Sequence, residues 1–150
     1  MLEGGTIENS NCDTARSGAI VVSGEEAFFH MTGGLVRNNF YENQYGGIIR
    51  VSCGATFNME GGSISGNDTY PGGQVNNATI YVAAKEGNSS FQMNGGEISE
   101  NHGFFGGVFL GEWLSPDYVS IASMEMNGGK IMNIKLRDLA AVLWYVDRRL

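Results

Sequence analysis

One phrase of eleven residues returns along the whole chain. It reads FNMEGGSISGN at 57–67, FHMTGGLVRNN at 29–39 and FQMNGGEISEN at 91–101, with partial copies MEMNGGKIMN at 124–133 and LEGGTIENS at 2–10. A repeat of this kind limits the fold more tightly than composition does, because each copy must find the same surroundings. Taking the large residue two before the glycine pair as an anchor gives Leu2, Met31, Met59, Met93 and Met126. The unit is therefore about thirty residues, within the range of solenoids and propellers.

Inside each unit apolar and polar residues alternate before the glycines. Phe29, Phe57, Phe91 and Met124 share a face with Met31, Met59, Met93 and Met126, while His30, Asn58, Gln92 and Glu125 point the other way. That is the period-2 pattern of a strand with one dry face. The Gly-Gly pair that follows reads as a turn needing positive φ. Ile7, Val36, Ile64, Ile98 and Ile131 then form a second apolar column, and Asn39, Asn67 and Asn101 a third, with Ser10 in the matching place of the first unit. Asparagine tolerates tight corners and can hydrogen-bond its copy in the next unit, so a stacked amide ladder is expected. A further glycine-led strand closes each unit, with Ile20 and Val22, Ile49 and Val51, and Ile80 and Val82 alternating inwards.

A unit this short, all strand and corner, cannot bury its apolar face alone and must stack on copies of itself. Wound as a coil, its strands pair in parallel with the turns above and below, giving a rod roughly 20 Å long at the usual strand spacing. The fold class expected is all-β, a parallel β-helix of about four to five coils over residues 1–133. Past Asn133 the motif stops. Leu136, Leu139, Ala140, Leu143 and Trp144 fall on one helical face, with Asn133 as N-cap and Arg148 and Arg149 near the C-terminus. Residues 134–150 are therefore expected to form a capping α-helix over the exposed end of the coil. A poorly folding tail and a membrane-binding or partner-binding helix are the other readings of that stretch.

Composition narrows the function. Glycine stands at 23 residues and proline at 2, which favours many tight turns over disorder. The net charge of −7 disfavours nucleic acid, whose phosphates need a basic patch. No stretch reaches a membrane-spanning length, and the N-terminus lacks the basic and apolar segments of a signal peptide. The chain opens inside a repeat, as a piece of a longer protein would. Cys12 and Cys53, at different points of the unit, are read as small half-buried side chains, neither a disulfide nor a metal site.

No catalytic constellation emerges, and neither metal nor cofactor is expected. An acid or base used on the outer wall would recur at one phase of successive coils. Instead the position after the anchor runs Glu3, Thr32, Glu60, Asn94, Asn127, and the one after the glycines Thr6, Leu35, Ser63, Glu97, Lys130. Asp13, Asp68 and Asp117 are placed in loops of different length, as is His102, while His30 takes an outward strand slot. The one candidate ligand-binding feature is aromatic: Tyr45, Tyr70 and Phe105 lie just before the second glycines of three successive units. They read either as a corner stack or as a stripe for sugar rings or a protein partner.

The GGxI and Φ-x-x-N elements resemble the repeats of right-handed parallel β-helix proteins of bacterial surfaces. Chlamydial polymorphic outer-membrane proteins carry related motifs, and the MxGGxISGN form is similar to large cell-wall proteins of Gram-positive bacteria. This resemblance covers residues 1 to about 133. It implies an extracellular or cell-surface module concerned with structure or adhesion, binding glycan or protein along one wall. Some β-helix proteins are polysaccharide lyases or hydrolases, so a carbohydrate-active enzyme is the competing class, and end-to-end self-association a third reading.

Overall fold

Each repeat folds as one level of a coil, and the strands follow in chain order. The structure is a computed structural model that describes residues 1–69, 77–84, 87–111, 120–136 and 143–145. The first level holds β1 (Thr6–Glu8), β2 (Asn11–Cys12) and β3 (Ile20–Ser23). The second holds β4 (Phe28–Met31), β5 (Leu35–Arg37), β6 (Phe40–Tyr41) and β7 (Gly46–Ser52). The third holds β8 (Thr56–Met59), β9 (Ser63–Ser65), β10 (Asp68–Thr69) and β11 (Asn77–Val82). The fourth holds β12 (Ser89–Met93), β13 (Glu97–Ser99), β14 (His102–Gly103) and β15 (Val108–Leu110). The fifth holds β16 (Ala122–Met126), β17 (Lys130–Met132), β18 (Lys135–Leu136) and β19 (Leu143–Tyr145).

Among the described residues like strands pair with like, in parallel, and make three sheets of five strands and one of four. The anchor sheet runs β4-β8-β12-β16, with Leu2 bridging Met31 below it. The isoleucine sheet runs β1-β5-β9-β13-β17, a short sheet β2-β6-β10-β14-β18, and a broad sheet β3-β7-β11-β15-β19. Register follows the repeat: Met31, Met59, Met93 and Met126 are partners in turn, as are Ile7, Val36, Ile64, Ile98 and Ile131. The chain is a parallel β-solenoid, with no helix among its described residues.

The expected columns fill one continuous core, with Phe57, Met59, Ile64, Ile80 and Val82 fully buried beside their neighbours above and below. Phe29, Phe57 and Phe91 stack with ring centroids 5.1 and 4.8 Å apart. The amide ladder forms too: Asn39 Nδ2 donates to Asn67 Oδ1 at 3.0 Å and Asn67 Nδ2 to Asn101 Oδ1 at 2.9 Å. Each Asn also reaches a carbonyl of the preceding level, Ile7, Val36 and Ile64 in turn.

Two expectations about corners need correction. Only the second glycine of each pair has positive φ, at Gly5, Gly34, Gly62, Gly96 and Gly129. The first is required by close approach: a Cβ on Gly33, Gly61, Gly95 or Gly128 would lie 2.2–2.4 Å from a carbonyl oxygen of the level below. The left-handed corner near the ladder falls one residue before it, at Asn9, Asn38, Gly66, Glu100 and Asn133, because the ladder residue itself continues into the next strand.

The C-terminal stretch also differs. Where a capping helix is expected over 134–150, residues 135–136 and 143–145 are strands, while 137–142 and 146–150 lie outside the described residues. The outer edges of β14 and β15 offer a ready ladder, and tertiary pairing of this kind overrides local helix propensity. Lys135 N donates to Asn101 O at 2.9 Å, and Leu143 pairs with Val108. No helix of the described residues is long and apolar enough to cross a membrane.

Candidate functional site

The aromatic residues singled out in the sequence lead to the broad sheet. Inward positions of β7, β11 and β15 feed the main core. The outward positions between them, Val21, Arg50, Tyr81 and Phe109, stand in one register column. A solvated wall would carry polar, exposed side chains here. Instead Tyr81 and Phe109 are fully buried and join Ala78, Ala83 and Phe105 in a second apolar cluster, with Tyr45 and Phe104 packed against it.

The geometry is a chain of ring contacts. Phe104 meets Phe105 edge-on at 4.9 Å, Phe105 stacks on Phe109 at 4.7 Å, and Phe109 lies 4.8 Å from Tyr81. The Arg50 guanidinium sits 5.3 Å from the Tyr81 ring centroid and donates to the Tyr45 carbonyl. Arg16 covers Tyr45 itself, 5.6 Å from its ring centroid. Arg50 is only 4% exposed, so ring, carbonyl and stem replace much of the water its charge would hold.

Of the three candidates, Tyr45 is half-buried beside the cluster, with left-handed backbone. Phe105 is 4% exposed and engaged through its ring. Tyr70, with Pro71, lies outside the described residues. Tyr45 and Phe104 are the half-buried rings at its margin. Arg50, Tyr81 and Phe109 were not among the sequence candidates, though a signal was present. Following the alternation of β7, β11 and β15 on its outward as well as its inward phase finds a cation and two aromatics.

Elsewhere the wall carries isolated polar pairs. Arg37 bonds Glu8 at 2.9 Å, and His30 Nε2 lies 3.3 Å from Glu60 Oε1. His102 and Asp68, both expected in loops, are strand partners on β14 and β10 with Nδ1 and Oδ1 3.4 Å apart. Register brings them together across a sequence gap that spacing could not bridge. Asp117 lies outside the described residues. No three of His, Cys, Asp and Glu gather to hold a metal ion among the described residues.

Tyr41 and Cys12 titrate away from their ordinary range. Burial pushes the Tyr41 phenol up to about 12, against smaller opposing effects of nearby backbone hydrogen bonds and of Arg50; its hydroxyl donates to Gln44 O at 2.9 Å. Burial raises the Cys12 thiol, helped by neighbouring Asp13, which favours its protonated form.

A parallel solenoid whose one broad sheet bears a second apolar cluster on its outer face defines the class: a β-solenoid repeat protein. In comparisons with known proteins, no family model, no curated protein and no solved structure matches this chain.

Proposed function

We propose that this chain is a rigid structural and adhesive repeat module of an extracellular bacterial surface protein, one side of which binds glycan or a protein partner weakly. The observation that carries the reading is register. The same side chains meet the same side chains from level to level, in the apolar columns and in the Asn39–Asn67–Asn101 ladder. Such a stack keeps its shape without a cofactor and presents a straight, stiff surface. Right-handed winding is the sense that parallel strand crossovers strongly favour. The resemblance of the GGxI repeats to bacterial surface proteins supports the extracellular setting.

Adhesion is assigned to the Tyr45 side of the broad sheet. Tyr45, half-buried and held by Arg16, and Phe104 both pack against the cluster, and half-buried rings of this kind suit a sugar face or a partner side chain. The test is a glycan-array screen of the native chain beside Tyr45→Ala/Phe104→Ala, with folding of the variant checked by circular dichroism. Phe105 is left in place because its buried ring is part of the packing. Binding lost in the variant supports the recognition surface. A native chain that binds nothing on the array removes glycan adhesion and leaves the scaffold role and a protein partner.

A further inference from the structure

We propose that the outer wall of the anchor sheet binds a neutral β-linked polysaccharide lying along the axis of the coil, one sugar to each level. The proposal takes up the glycan half of the reading above but sets it on a wall without Tyr45, so the two fail separately. The wall consists of the outward positions of β4, β8, β12 and β16 and of the residue that follows each anchor. All of these residues are described, and none belongs to the Tyr45 cluster. Register sets them in two straight columns, one running from His30 to Glu125 and the other from Thr32 to Asn127.

The His30–Glu60 pair is one end of a longer chain of polar contacts. His30 Nε2 lies 3.3 Å from Glu60 Oε1, and Asn58 Nδ2 donates to the same oxygen at 3.4 Å. Asn94 Nδ2 donates to Asn58 Oδ1 and Asn127 Nδ2 to Asn94 Oδ1, each at 3.1 Å. Unlike the buried ladder at Asn39, Asn67 and Asn101, this one is open. Glu60, Asn94 and Asn127 are exposed, and His30 and Asn58 are half-buried. A side-chain amide has two N–H donors and two lone pairs, and the chain uses one of each on Asn58 and on Asn94. Each of these levels therefore keeps a donor and an acceptor for a ligand, on side chains already held in place by their neighbours.

Charge and period together select the ligand. The two columns hold Glu60 and Glu125 and neither Lys nor Arg, so phosphate, sulfate and uronate polymers are repelled. His30 is their only ring and they carry no aliphatic side chain, so the apolar anchors on which protein partners depend are missing. What the columns offer instead is a donor and an acceptor that recur once a level, roughly every 4.8 Å. An extended β-linked pyranose chain advances by nearly the same length per sugar. It presents at every step hydroxyls that both donate and accept, so each sugar meets an amide without an ionised group being buried alone. A wall contact of this kind is shallow, and its strength comes from the number of levels engaged at once.

The experiment is native electrophoresis of the chain through gels cast with hydroxyethylcellulose, glucomannan or polygalacturonate, beside calorimetric titration with β-linked gluco- and manno-oligomers of two and of five units. Expected are retardation by a neutral polymer and not by the acidic one, and tighter binding of the longer oligomer. Asn58→Ala/Asn94→Ala should weaken binding about tenfold or more, the loss of one or two hydrogen bonds, while Tyr45→Ala/Phe104→Ala leaves it unchanged. If the double alanine variant loses its native circular dichroism, Asn94→Asp stands in, since it keeps the shape but removes the N–H given to Asn58. A chain that neither neutral polymer retards overturns the proposal, as does one that polygalacturonate retards equally. Equal affinity for the short and long oligomers overturns it too. Binding lost in the Tyr45 variant and kept in the amide variant overturns it while leaving the Tyr45 reading in place. Where light scattering shows a mass above one chain that Asn58→Ala/Asn94→Ala returns to one, a second copy covers the wall and the proposal fails.

Discussion

At Gly61 an added Cβ would sit 2.4 Å from the carbonyl oxygen of Thr32, while at Gly62 the backbone itself, at φ +84°, excludes ordinary side chains. The first glycine thus answers to the level below, and the second to the turn as well as to that level, where its Cβ would meet the Gly34 carbonyl oxygen at 2.7 Å. Gly66 is a third case, left-handed at +63° but with only Asn38 Oδ1 nearby, at 3.2 Å. Asn9, Asn38 and Asn133 hold the same corner in other levels. Gly66→Asn is therefore expected to change stability by no more than about 1 kcal/mol, the usual left-handed cost for a residue that tolerates the region. Gly61→Ala should cost about 2–4 kcal/mol, since the backbone oxygen cannot move without parting two levels. Urea unfolding midpoints of the two variants decide this, and equal losses would contradict it.

Among the elements, the corner between the isoleucine sheet and the short sheet depends on the asparagine ladder. Asn67 accepts from the Asn39 amide and side chain at 3.0 Å, and donates to Val36 O and Asn101 Oδ1 at 3.0 and 2.9 Å. All of this is buried. Asn67→Ala strands the Asn39 amide and the Val36 carbonyl away from water, and is expected to cost about 3–5 kcal/mol. Ser10→Ala, at the end of the same column, should stay within about 0.5 kcal/mol because its backbone amide, not its hydroxyl, meets Asn39. Equilibrium denaturation of the pair tests whether the ladder or the corner backbone holds the sheets together. The ladder was legible in the sequence because identical residues at one phase of a repeat must stack. The left-handed corner beside it was not, since Asn9, Asn38, Gly66, Glu100 and Asn133 share a conformation without sharing a residue type.

For the molecule as a whole, stability runs along one axis, because each level touches only the levels next to it. Amide exchange should be slowest in the middle levels, at Ile64, Ile80 and Phe91, and faster by a factor of about a hundred or more in β1 and β17, which have one neighbour instead of two. Hydrogen exchange followed by mass spectrometry gives the profile, and uniform protection from end to end would contradict a one-dimensional stack. The repeat by itself determined the strands, their parallel stacking, the inward columns and the register, because alternation and equal spacing are properties of the local chain. Tertiary structure alone decided three matters. It put strands into residues 135–136 and 143–145, where helical spacing was written, because the edges of β14 and β15 offered hydrogen bonds that a short helix could not match. It set His102 beside Asp68. It buried Arg50, Tyr81 and Phe109 on the outer face of the broad sheet, since which face of a strand meets water depends on what packs over it, and that is not encoded in the strand's own alternation.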